Sequence, residues 1–89
     1  MARLIFTQQL ARFTTVPQVD TGAACLRAGL ESAFDANPRL RGYILDDQGH
    51  LRENVVVFID GRRSVERIRL DDPLRPDSTV HILQALSGG

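Results

Sequence analysis

The residues with the clearest chemical potential are the last two of the sequence, Gly88 and Gly89. A carboxylate at a chain end can attack the α-phosphate of ATP and form an acyl-adenylate, if another protein supplies the ATP and the metal. Two glycines keep such a tail narrow, because they have no Cβ to obstruct an extended path into a closed active site. Persulfide sulfur would convert the adenylate to a thiocarboxylate, and an amine would convert it to an amide. We expect Leu86 to dock the tail in an apolar groove, and Ser87 is small enough to follow it.

The glycine pair also has a plain interpretation, as a frayed chain end under no selection or as a cloning remnant. Average protein sequence contains about 7% glycine, so roughly 0.5% of random chains would end in two glycines. The pair gains meaning only if the preceding residues form a domain that presents a tail. The sequence predicts such a division, with a domain over residues 1–85 and a flexible tail over residues 86–89.

Other candidate reactive groups are scattered along the chain. The only cysteine, Cys25, and the two histidines, His50 and His81, do not have the spacing of a zinc site. The sequence contains neither a phosphate-binding glycine loop with its lysine nor a dinucleotide fingerprint. The acidic pairs at 46–47 and 71–72 fall in turn-forming segments, where solvated aspartates are normal. We therefore expect no bound metal or cofactor and no enzymatic activity from this chain alone.

The charge composition excludes some classes of partner. Eleven basic and eleven acidic residues give a net charge of zero, which provides no general attraction to nucleic acid. No apolar run approaches the length of about 18 residues that predicts a membrane-spanning helix, and a signal-peptide pattern is missing. A single cysteine is typical of a cytoplasmic protein.

All eleven basic residues are arginine. The absence of lysine reflects either a coding bias or protection of an activated carboxylate from the chain's own amines.

Hydrophobic periodicity predicts a single α+β domain with one main helix. Asp20 or Thr21 is a candidate N-cap for a helix over 22–36, whose apolar stripe would face a sheet. Asp60-Gly61 predicts a tight turn. The predicted extended segments are 3–7, an edge strand at 16–19, a brief piece at 43–45, 55–59, a short return at 65–70, and 79–83. If the last strand pairs beside the first, the chain closes as a β-grasp.

Three segments carry a resemblance to a known family. Phe58-Ile59-Asp60-Gly61, the run from Leu74 to Leu83, and Ser87-Gly88-Gly89 resemble the MoaD/ThiS group of ubiquitin-like sulfur carriers. The likeness extends along the whole chain, and the length of segment 43–54 is closer to MoaD-like and cysteine-synthesis carriers than to thiazole-forming ones.

The resemblance implies a β-grasp fold, with a mixed sheet of four to five strands and one main helix packed on one face. It also implies that a MoeB/ThiF-type activating enzyme adenylates Gly89, with its own ATP and metal, and that a thiocarboxylate then forms there. Three sulfur acceptors stay open: the large subunit of molybdopterin synthase, a cysteine-synthase-like enzyme, and a secondary-metabolism enzyme that makes another sulfur-containing metabolite. The chain would then be a substrate of other enzymes, and in the first case the small subunit of such a synthase.

Departures from the family pattern leave the partner open. The family often has an acidic residue where this chain has Arg62 and Arg63, and Ala-Gly-Gly is commoner at the end than Ser87-Gly88-Gly89. Phe58, Arg62 and Arg63 form the candidate partner surface. Two alternatives stay open: a ubiquitin-like modifier conjugated through Gly89, and a non-catalytic β-grasp binding module.

Overall fold

A computed structural model describes residues 1–8 and 18–84 of the chain. Its strands are β1 (Ala2–Gln8), β2 (Gln18–Thr21), β3 (Val55–Ile59), β4 (Arg62–Arg63) and β5 (Thr79–Gln84), and its helices are α1 (Leu26–Ala36) and α2 (Leu40–Ile44). The described strands form one five-stranded sheet in the order β2-β1-β5-β3-β4. β1 and β5 are parallel, and the other neighbours are antiparallel. The predicted mixed sheet with first and last strands adjacent is confirmed.

The core lies between one face of this sheet and α1. The predicted apolar stripe of the helix is buried, with Leu26, Leu30 and Ala33 at most 1% exposed. Successive side chains of a strand point to opposite faces, so every second residue of the central strands points into the core. These inward residues include Leu4, Phe6, Val55, Val57, Val80 and Ile82, and each is at most 1% exposed. The opposite face of the sheet is left without a covering helix in the described part of the chain.

The helix begins four residues later than predicted, and its predicted caps are wrong. Asp20 and Thr21 belong to β2, which lies at the edge of the sheet as expected but ends at Thr21 instead of residue 19. Cys25 occupies the N-cap position without a side-chain capping bond. The backbone N–H of Leu26 instead donates to the carbonyl oxygen of residue 72 at 2.9 Å, and that of Arg27 donates to the carbonyl oxygen of residue 70 at 2.7 Å. A distant loop therefore caps this helix.

The extended piece predicted at 43–45 is also wrong, because residues 40–44 form the short helix α2. Leu40 and Ile44 are one helical turn apart and are both completely buried, which favours a helix over a strand here. The turn expected around the acidic pair 46–47 is confirmed: Asp46 Oδ1 accepts the N–H groups of residues 48 and 50, and Gly49 has φ of 78°.

The predicted strand 55–59 and the turn after it are confirmed. Asp60 and Gly61 have φ of 51° and 82°, the left-handed pair that a tight hairpin turn requires. The return strand, however, is only Arg62–Arg63, and the strand predicted at 65–70 is wrong. Glu66 Oε1 accepts the N–H groups of residues 68, 69 and 70, so these donors bind a carboxylate instead of a neighbouring strand.

Within residues 1–8 and 18–84, no helix is long and apolar enough to span a membrane. The same described residues contain no group of three or more His, Cys, Asp or Glu side chains arranged to hold a metal ion.

Candidate functional site

The predicted reactive tail follows the central strand of the sheet. β5 lies between β1 and β3, and its last residue, Gln84, pairs with Val55 at one end of the sheet. Leu86, Ser87, Gly88 and Gly89 lie outside the described residues. The structure therefore fixes the point from which the tail departs, and the roles predicted for these four residues stay predictions.

The face of the sheet opposite α1 is the surface that a partner could contact, and we call it the open face. One continuous row of cross-strand partners runs over all five strands of this face. The register pairs Gln18 with Ile5, Ile5 with His81, His81 with Phe58, and Phe58 with Arg63. Ile5 and Phe58 are half-buried, and the exposed His81 stands between them at the centre of the sheet.

A second pair extends the apolar part of the open face toward the tail. Val56 pairs with Leu83, and both side chains are half-buried. Leu83 is only one residue from Gln84, so the apolar surface reaches the end of the sheet from which the tail departs.

The predicted partner surface is brought together only in part. Phe58 and Arg63 are direct cross-strand partners on the open face. Arg62 pairs with Ile59, which packs against the core, so alternation directs Arg62 to the other side of the hairpin. There Arg62 borders a cleft with Asp72 and Arg75, and Arg63 also lines part of this cleft.

Sequence reasoning missed five residues of the open face: Ile5, Gln18, Val56, His81 and Leu83. The run from Val55 to Ile59 is apolar throughout, so it shows no alternation between a buried and an open side. The last strand carried a usable signal, because the polar His81 is placed between Val80 and Ile82, which are both fully buried.

Charged side chains lie at the end of the open face that is farther from Gln84. Arg3 Nε and Asp20 Oδ1 form an exposed ion pair at 3.3 Å across β1 and β2. Asp60 Oδ1 accepts the Thr79 N–H at 2.8 Å, and Asp60 Oδ2 accepts the Ser78 hydroxyl at 3.0 Å. These bonds, the Thr79 N–H foremost, lower the pKa of the Asp60 carboxyl below its ordinary value. The carboxylate thereby joins the β3–β4 turn to the start of β5.

Comparisons with known proteins identify this architecture. SAMP1 from Haloferax volcanii, a small archaeal modifier protein, superposes with a TM-score of 0.82 at 20% identity, over 99% of this chain and 98% of that one. A chain of the Amycolatopsis orientalis BexX/CysO complex gives 0.83 at 15% identity, with all of both chains covered. Urm1 from Sulfolobus solfataricus gives 0.69 at 15% identity, over 92% of this chain and 97% of that one.

The chain has the β-grasp fold. The fold that the resemblance to the MoaD/ThiS group implied is therefore confirmed. Neither a family model nor a curated protein sequence matches the chain. With identities this low, the likeness establishes the β-grasp architecture, and it leaves the chemistry to be argued from the residues.

Proposed function

We propose that this β-grasp protein is a sulfur carrier whose C-terminal glycine, Gly89, is adenylated by an activating enzyme and converted to a thiocarboxylate. The observation that carries the proposal is the position of β5, which lies in the middle of the sheet and leads from Gln84 toward Gly88 and Gly89. Five residues can extend at most about 17 Å. That reach would place a reactive carboxylate inside a partner while the folded domain stays at the partner's surface.

The chemistry needs nothing from this chain except a carboxylate and a narrow tail. A Gly89 oxygen attacks the α-phosphorus of ATP and pyrophosphate leaves, with the ATP and metal bound by a MoeB/ThiF-type activating enzyme. A persulfide sulfur then attacks the acyl carbon and AMP leaves. A thiol reduces the resulting acyl disulfide, releasing the thiocarboxylate. Sulfur passes from it to an acceptor, which we propose to be a cysteine-synthase-like enzyme or the large subunit of molybdopterin synthase.

The open face supports this proposal, because its apolar surface ends beside the tail. We propose that Phe58 and Arg63 contact the partner together, and that Ile5 and His81 contribute to the same surface. Leu86 and Ser87 would then occupy the groove that leads to the partner's active site. The CysO chain was crystallised in a complex with BexX, which supports a function exercised in complexes.

The experiment that tests the proposal is intact-protein mass spectrometry. The purified chain is incubated with ATP, its activating enzyme and a sulfur donor, and we expect a gain of about 16 Da as one oxygen is replaced by sulfur. Deletion of Gly88 and Gly89 should abolish the gain. A28S, at an exposed position on α1, keeps the whole tail and is the control; it should be modified normally. No mass gain in the unaltered chain would contradict the proposal.

A second candidate function is a ubiquitin-like modifier, joined through Gly89 to lysines of other proteins. It is favoured by the structural likeness to the small archaeal modifier protein SAMP1. Isopeptide-linked adducts that require Gly89 would support this function, and it is compatible with sulfur transfer. If a chain ending at Leu86 keeps full activity in cells, the protein is instead a binding module and both tail functions are wrong.

A further inference from the structure

Two exposed hydrophobic side chains lie in the loop that replaces the predicted strand after β4. Val65 is 82% exposed and Ile68 is 57% exposed. The one other large hydrophobic residue that is exposed within the described chain is Met1. Val65 and Ile68 are three residues apart in segment 64–70, which we call the 64–70 loop. Single exposed hydrophobic residues are common, but two in one short loop add apolar surface that binding would remove from water.

The 64–70 loop is held in one conformation by an unusual number of hydrogen bonds. The Glu66 carboxylate accepts the N–H groups of residues 68, 69 and 70. Arg27 of α1 donates to the carbonyl oxygens of residues 68 and 69, at 2.7 and 3.0 Å. The loop returns to the core at Leu70, which is fully buried with φ of 54°. The backbone beneath Val65 and Ile68 is therefore fixed before any partner arrives.

A fixed backbone changes the energetics of recognition. Ordering a flexible loop during binding costs free energy, whereas a preorganised loop avoids that cost. Exposed apolar side chains contribute little to the stability of the free domain, but they gain free energy when a partner removes them from water. Together, these two facts favour a binding role for the loop over a purely structural one.

The loop is attached to the same end of the sheet as the tail. Arg67 Nη2 donates to the carbonyl oxygen of Val55 at 2.8 Å, and Val55 is the cross-strand partner of Gln84. The carbonyl oxygen of Arg67 also accepts the N–H of Leu51, at 2.8 Å, in the segment that precedes β3. A partner that holds the tail beyond Gln84 can therefore reach this loop.

Charges around the loop indicate the chemistry of the surface that would cover it. Arg62, Arg63 and Arg69 are exposed, and Asp71 is the one exposed acidic residue between 62 and 71. The Glu66 carboxylate is engaged with three N–H groups, which lower its pKa, the Leu70 N–H foremost. Glu66 stays negatively charged, but four arginines outnumber the two carboxylates between residues 62 and 71. The segment that carries Val65 and Ile68 thus has a net positive charge, and a partner with an apolar pocket and an acidic rim would be complementary.

We propose that the 64–70 loop is a recognition element for the activating enzyme, which would receive Val65 and Ile68 in an apolar pocket bordered by carboxylates. This inference rests on the proposed sulfur-carrier function. Adenylation begins from a tail that is not yet covalently bound, so the enzyme must select this chain through folded surfaces near the tail. The loop supplies such a surface in addition to the open face.

The test replaces both side chains with threonine, as V65T and I68T together, which preserves β-branching and removes the apolar surface. Thiocarboxylate formation is followed by mass at increasing carrier concentrations. We expect KM for the carrier to rise at least tenfold while kcat stays within twofold, because docking is weakened and the tail is unchanged. A28S, at an exposed apolar position on α1, is the control and should leave KM unchanged. Circular dichroism should show equal thermal midpoints for all three proteins.

A second variant tests the charge complementarity. We expect R69E to raise KM at low salt and to have less effect at high salt, whereas R39E, at an exposed position on another segment, should not. If the unaltered chain is modified and the double threonine variant keeps its KM, the loop proposal is wrong and the carrier function stands. A KM increase that appears only with the acceptor enzyme also overturns it. If the unaltered chain gains no mass, the carrier proposal itself fails.

Discussion

Replacing Arg27 with methionine should destabilise the domain strongly, because this side chain joins three separate segments. Arg27 Nη2 donates to the carbonyl oxygens of Gly49 and Ile68 at 2.8 and 2.7 Å, and Nε donates to that of Arg69 at 3.0 Å. Methionine keeps a similar apolar stem and helix propensity but donates no hydrogen bond. Each of the three lost bonds contributes about 0.5 to 1.5 kcal/mol, so we expect the free energy of unfolding to fall by about 1.5 to 4.5 kcal/mol.

That loss is large relative to the stability of a small domain, which is commonly about 5 to 15 kcal/mol. It corresponds to a decrease in Tm of roughly 6 to 36 °C for a domain of this size. The assay is urea unfolding followed by circular dichroism, with the slope on urea concentration checked for constancy. R39M, at an exposed position, is the matched control and should change stability by less than about 0.5 kcal/mol.

A lysine at position 27 separates the effect of charge from that of geometry. Its ammonium group keeps the positive charge, but it cannot reproduce the planar fork that reaches three carbonyl oxygens. We expect R27K to lose about half as much stability as R27M. If R27M unfolds within about 0.5 kcal/mol of the unaltered chain, the reasoning that Arg27 holds the 64–70 loop to α1 is refuted.

Three further predictions concern pH, the core and the open face. Asp60 and Glu66 have lowered pKa values in the folded state, so their stabilisation is present above their ordinary values of 3.8 and 4.5 and is lost as pH falls through the folded values. E66Q should therefore have a lower free energy of unfolding than the unaltered chain at pH 7, measured by chemical unfolding. Below pH 4.5 its free energy of unfolding should fall less steeply with pH, and an unchanged dependence on pH would contradict this. L30A removes a fully buried side chain and should cost about 2 to 5 kcal/mol, measured the same way, whereas a cost below about 1 kcal/mol would show that Leu30 is not in the core. F58S should raise the KM of the carrier in the activating-enzyme reaction, and it should lower the free energy of unfolding by less than L30A does. An unchanged KM would show that Phe58 is not part of the partner surface.

The parts of the fold that local sequence determines were predictable. The stripe containing Leu26 and Leu30 predicted α1 because a helix brings these residues to one face. The β-branched run from Val55 to Ile59 predicted β3, and Asp60-Gly61 predicted the turn that follows it. In each case the signal lies within a few residues.

The errors arose where distant segments decide the local structure. The carbonyl oxygens of residues 70 and 72 cap α1, so no capping side chain marks where the helix begins. Glu66 binds the N–H groups of the next residues, and this pattern cannot be distinguished from a strand by hydrophobicity. The paired apolar residues of α2 were too few to reveal a helical period.

The arginine-only composition illustrates a third explanation that sequence reasoning did not consider. Arg27, Arg52 and Arg67 all donate to backbone carbonyl oxygens of other segments. A guanidinium group can reach several such acceptors at once, whereas a lysine ammonium group is a single point. At these three positions arginine therefore has a structural role that lysine would not reproduce, whatever the coding bias or the tail chemistry.

For the candidate site, the sequence indicated a reactive group more readily than the residues of the partner surface. The glycine pair and the resemblance to sulfur carriers indicated Gly89, a prediction that lies beyond the described residues. Phe58 and Arg63 are neighbours on the open face, but Arg62 lies on the other side. Only the strand register showed that Ile5 and His81 belong to the same row.

The central claim is that Gly89 carries sulfur, and the most direct measurement is the intact mass of the chain after reaction with ATP, activating enzyme and sulfur donor. We predict a gain of about 16 Da, located by fragmentation to the C-terminal residue and absent when Gly88 and Gly89 are deleted. An unchanged mass in the presence of an activating enzyme that adenylates other carriers would contradict the account, as would a gain that persists after the deletion.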